Sequence, residues 1–249
     1  ENLGSQPVGC AFRKSLQELV FHPIRFFDRM ATIGGLHEPL CLFVILAAAG
    51  IALSFPLALS YFALTAPDPT TVSAEIYDGH LLLPQLTGYM LCLLPVVLLA
   101  ISIVTIGAAS IFYLGARLFG ARKWETCTSI WCYAQSAAAV PVLLGEVVLC
   151  FFFSGLYVMA KFLPESVSFA AKTAQFVAPA LGTLAVAVSV IAFFLVLAIG
   201  CARVFELQPA QGVVSALAGL MLILAAAGAP ILGWRLWGAM AAGMALGAE

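Results

Sequence analysis

An all-α polytopic membrane protein, a bundle of five transmembrane helices with an N-terminal amphipathic interfacial segment, is the fold class that three observations predict. Of 249 residues, 63% are hydrophobic and only 9% charged, and the mean hydropathy is +1.08. That composition excludes a water-soluble globule, and a formal net charge of −1 supplies no basic field for nucleic acid. Thirteen Pro and 21 Gly lie largely inside apolar stretches that lack the alternating pattern of an outer-membrane barrel. Helices are then the remaining way to satisfy backbone polar groups in lipid.

The first 38 residues form a cytoplasmic segment. From Phe12 to Met30 the apolar residues Phe12, Leu16, Leu19, Val20, Phe26, Phe27 and Met30 recur at helical spacings, with Arg13, Lys14, Arg25 and Arg29 between them. Pro23 lacks the N–H that would continue a first helix but suits the first turn of a second, so a new helix is predicted to start there. Two readings stay open. In one, the helix lies in the headgroup layer, with Phe26 and Phe27 toward the acyl chains. Pro23 then sets the turn, and Arg13, Lys14, Arg25 and Arg29 face lipid phosphates at about 1 kcal/mol each. In the other, the segment caps the floor of the bundle. Either way these seven residues are the candidates for partner or lipid contact.

The membrane domain covers 39–233. A helix rises 1.5 Å per residue and the hydrocarbon slab is ~30 Å thick, so an uncharged run of about 20 residues crosses once. Five runs qualify, and they predict spans at 39–62, 86–114, 130–160, 176–202 and 212–233. The longest run, Gly79 to Ala116, is too short for two crossings and a turn, so one tilted or Pro95-kinked span is placed in it. An apolar tail, 234–249, follows. Its Gly243 and Gly247 make a weak close-packing motif, and the tail either lies at the outer interface or extends the last helix.

Lys and Arg accumulate on the cytoplasmic side of a membrane. With these spans eight basic residues fall on one side: Arg13, Lys14, Arg25, Arg29, Arg117, Arg122, Lys123 and Arg203. Only Lys161, Lys172 and Arg235 fall on the other. The N-terminus is therefore expected in the cytoplasm and the C-terminus outside. No loop on the outer face carries a disulfide candidate among the seven cysteines, which read as free. The chain starts at Glu1 rather than Met, which is compatible with upstream residues, a cleaved signal peptide among them.

Glu146 is the sole formal charge inside a predicted span. A lone carboxylate at that depth costs roughly 2.5–3.5 kcal/mol on insertion scales, so it is expected to face protein or water, to be protonated, or to be paired. Gln135 and Ser136 precede it by about three helical turns, and the three are candidates for a polar seam inside the bundle. The alternative is interhelical glue, at ~0.6 kcal/mol per hydrogen bond. No catalytic, metal or cofactor site is expected: His22, His37 and His80 fall on opposite faces, and phosphate loops, G-x-S-x-G and H-E-x-x-H are lacking.

Three blocks resemble bacterial members of the Yip (Ypt/Rab-interacting protein) domain family. They are His22-Pro23-Ile24-Arg25-Phe26-Phe27-Asp28-Arg29-Met30 with Gly34-Gly35 and Glu38-Pro39-Leu40; Leu118 to Glu125 with Tyr133-Ala134 and Pro141; and Ile199 to Leu207 with Gln211 to Val214. The resemblance covers about Phe21 to Leu232. It implies five spans, a cytoplasmic N-terminus, a bacterial inner (cytoplasmic) membrane, and a non-enzymatic role among membrane partners. Eukaryotic relatives bind Rab-type GTPases. Their acidic-aromatic-glycine-proline signature is replaced here by Arg117 to Glu125, which makes GTPase binding doubtful for this chain.

The functional expectation is a non-enzymatic membrane scaffold or accessory subunit that binds the lipid bilayer and other membrane proteins through helix faces. Small-residue runs such as Ala47 to Gly50 and Ala137 to Ala139 let helices approach closely. The alternatives are a small permease or ion-coupled transporter using Glu146, and a membrane subunit of a redox complex.

Overall fold

The computed structural model describes residues 8–33, 36–65, 82–121, 123–162 and 167–246. All its regular structure is helical: α1 (Val8–Phe21), α2 (Pro23–Ile33), α3 (His37–Thr65), α4 (Leu82–Arg117), α5 (Trp124–Phe162), α6 (Val167–Val204) and α7 (Pro209–Leu246). Outside the described residues lie Gly34, Gly35, the acidic loop with Asp68, Glu75, Asp78 and His80, Arg122, and Gly247 of the tail.

Among the described residues five helices, α3 to α7, contain stretches long and apolar enough to cross a membrane: His37–Ala58, Cys92–Arg117, Trp124–Leu156, Phe169–Val204 and Pro209–Ala227. The chain is an integral membrane protein. These stretches agree in number and order with the expected spans, but α5 starts earlier than 130. Glu125 sits in its first turn, where an acid meets the positive end of the helix dipole and does not stop the helix. At the other end of the chain, α7 carries the tail onward as helix to Leu246.

Helix α5 is the centre. It packs most extensively on α6 and α3 and also on α4, while α7 lies against α6 and α4. Its segment from Cys127 to Ala134 is buried at every position. There Trp131 stands between Phe112 of α4 and Phe193 of α6, with ring centroids 5.4 and 5.2 Å away. Small residues allow close crossings: a Cβ on Gly115 of α4 would come 2.8 Å from the Gly219 Cα of α7, so the two backbones touch. Without a hydrophobic force between helices in lipid, such close contact supplies the dispersion that holds them.

The amphipathic segment divides where the missing N–H of Pro23 predicts. Helix α1 ends at Phe21 and Pro23 is the first residue of α2. Glu18 and Arg29 clamp the pair, Arg29 Nη1 donating to both carboxylate oxygens at 2.9 Å. Helix α2 packs against α6, and α1 touches α5.

Candidate interaction site at the α1–α2 end of the bundle

One helix, α2, presents two different faces. Inward, Phe27 is wholly buried and belongs to the main core together with Leu19 of α1. The half-buried Phe26 meets Tyr133 of α5 edge-on, with ring centroids 4.7 Å apart, and Phe27 meets the same ring at 6.4 Å. The floor of this seat is Gly200 of α6. A Cβ there would come 3.1 Å from Phe27 Cζ and 2.6 Å from Ile130 Cγ2, so only a bare backbone admits the ring. Outward, Ile24 and Arg25 are exposed, and Phe21 at the end of α1 is 71% exposed. Arg13 and Lys14 are exposed on α1, and Pro23 is partly buried at the joint.

Charge ties the same end together. Arg203, near the end of α6, has Nη1 4.0 Å from Asp28 Oδ1, with both side chains about half exposed. At that distance and exposure the pair is a loose one, worth at most about 1 kcal/mol. The chain leaves α6 through Glu206, whose φ of 55° is left-handed, and Leu207 N–H donates to the Ala202 carbonyl at 2.8 Å. Gly120, with φ 106°, makes the corresponding turn after α4.

The three stretches that carry the sequence resemblance thus meet in space: Phe26 and Phe27, Tyr133, and Gly200 to Arg203. No family model matches the chain, and no curated protein or solved structure matches it either.

The second candidate lies deeper, between α3 and α5. Glu146 is half-buried, and its Oε2 is buried without a hydrogen-bond partner among the described residues. Gly50 of α3 is its neighbour, since a Cβ there would lie 4.0 Å from Oε2. One turn on, Cys150 Sγ points to the Leu53 carbonyl at 3.8 Å. Gln135 resembles Glu146 in being half-buried with its Oε1 unpartnered among the described residues. Ser136 does not join them, because it is buried and its hydroxyl donates back to the Cys132 carbonyl at 2.8 Å within its own helix.

Two further cross-helix bonds have no signature in the sequence. Ser189 of α6 donates to the Ala138 carbonyl of α5 at 2.6 Å, and Trp124 Nε1 of α5 donates to Ser110 Oγ of α4 at 3.0 Å. A lone serine in an apolar run signals a possible donor but names no acceptor.

Proposed function

We propose that this chain is a non-enzymatic scaffold or accessory subunit of a bacterial inner membrane, related to the Yip domain family, which holds partner proteins and lipid against its helix faces. The observation that carries this reading is the two-faced mounting of α2. Phe27 locks into the core, and the same short helix pair is left presenting Phe21, Ile24 and Arg25 to the outside. A rigidly seated element with an exposed apolar and basic edge is suited to bind, because little ordering entropy remains to be lost on association. The spatial convergence of the three Yip-like stretches supports the kinship. The excess of basic residues on the α1–α2 side supports an N-terminus in the cytoplasm.

The test is native purification with identification of the chains that co-migrate, for wild type and for Phe21→Ser. Phe21 is exposed, so the substitution leaves the bundle folded while removing an outward apolar contact. Loss of at least one partner is the expected result. An unchanged partner set, at unchanged yield, counts against the reading.

The buried, unpartnered Oε2 of Glu146 favours a second reading, a small permease or ion-coupled transporter. Solute or ion flux into liposomes that is abolished by Glu146→Gln would establish it. No flux with the wild-type chain would end it.

A further inference from the structure

A groove of about 660 Å³ runs along the outside of α6 at the α1–α2 end. Its long wall is the stripe of α6 from Val190 through Phe194 and Ala198 to Arg203, flanked by Ile24 of α2 and by Val213 of α7. All the lining side chains are apolar except Arg203. From Val190 to Arg203 the helix rises about 20 Å, somewhat more than the ~15 Å depth of one hydrocarbon leaflet. The groove therefore has the shape of a slot for one lipid tail, with a charged group where a headgroup would lie.

The volume argues against a partner helix as occupant. A helix is about 10 Å across, and 660 Å³ would hold less than two turns of it, so a helix could offer only side-chain tips. The charges argue against a simply anionic lipid. At the polar end the Arg203 guanidinium is balanced by the Asp28 carboxylate, both exposed. Arg203 and Asp28 stand 4.0 Å apart, too far for a hydrogen bond, so the guanidinium keeps N–H donors for a phosphate and the carboxylate keeps lone pairs for a cationic donor. A zwitterion matches that pair in both sign and spacing.

We infer that the groove holds one phosphatidylethanolamine-type lipid: an acyl chain along α6, the phosphate on Arg203, and the primary ammonium, two carbons away, on Asp28. A quaternary ammonium has no N–H to give Asp28, and a glycerol headgroup has no positive charge, so choline and glycerol lipids fit less well. The inference deepens the lipid contact in the proposed function and rests on that reading, with its own site and its own measurement.

The experiment titrates the full-length chain in detergent with phosphatidylethanolamine, phosphatidylcholine or phosphatidylglycerol of matched tails, and counts bound lipid by native mass spectrometry. Wild type is expected to retain one phosphatidylethanolamine ahead of the other two. Asp28→Asn, at an exposed position, should weaken phosphatidylethanolamine by up to about fivefold and leave phosphatidylcholine unchanged. Arg203→Gln should weaken both, and Leu195→Trp, which fills the groove from an exposed position, should weaken all three. Equal binding of the three lipids, strongest binding of phosphatidylglycerol, indifference to Asp28→Asn, or a polypeptide occupying the groove would overturn the site. Co-migrating partners are recorded on the same preparations. Lipid selectivity lost with partners intact sinks this site alone, and selectivity intact with partners indifferent to Phe21→Ser sinks the scaffold reading alone.

Discussion

Phe27 of α2 rests on Gly200 of α6 so closely that a single added methyl group would meet the Phe27 ring at 3.1 Å and Ile130 at 2.6 Å. The N-terminal helix pair is therefore fastened to the membrane bundle through its interior. Gly200→Ala is expected to destabilise the chain by about 1–3 kcal/mol, the usual cost of overpacking. Phe27→Ala should cost roughly 3–5 kcal/mol and expose α1–α2 to protease. Thermal unfolding in detergent, with limited proteolysis alongside, checks both, and a wild-type midpoint for Gly200→Ala would show that the seat is looser than described.

The crossing of α4 and α7 should be less forgiving. At Gly115 a methyl group would approach backbone, the Gly219 Cα at 2.8 Å, and backbone cannot rotate away as a ring can. Gly115→Ala is expected to lower the midpoint at least as much as Gly200→Ala. The reverse order, measured on the same instrument, would mean that α7 shifts to make room.

Ser189 donates to the Ala138 carbonyl across the α5–α6 interface. Because such bonds in membranes average about 0.6 kcal/mol and reach about 1.7, Ser189→Ala should be mild, within that range. A loss above about 2 kcal/mol would indicate that the hydroxyl has a further task.

At the end of α6 the left-handed backbone of Glu206 is strained for a residue with a side chain. Glu206→Gly should stabilise the folded chain by about 1 kcal/mol, raising the unfolding midpoint. A drop would show that the Glu206 carboxylate makes a contact worth more than the strain.

The bundle was legible because lipid permits so few solutions: a run of about 20 uncharged residues has little choice but to cross as a helix. Ends were harder. The third span is expected from 130, yet α5 already includes Glu125, and of the two readings of the tail α7 takes the helical one past Arg235 to Leu246, since a charge at the membrane surface is well solvated and breaks no backbone bond. The apolar face of α2 could be read from the spacing of Phe26 and Phe27. Its target could not, because Tyr133 and Gly200 lie far along the chain and periodicity is silent about which surfaces meet. Spacing likewise put Ser136 on a seam with Gln135 and Glu146, whereas the serine spends its proton on its own helix.

The seat of Phe27 also sets an order of events during synthesis. The ring is made before its partner, because Gly200 follows Phe27 by 200 − 27 = 173 residues. At about 5–20 residues per second, α2 must wait on the order of ten seconds or more before its socket exists. During that interval its aromatic face is open to chaperones and to the lipid surface. Docking of α1 and α2 thus has to follow the synthesis of α6, and a chain that stops short of Gly200 would leave them unlatched.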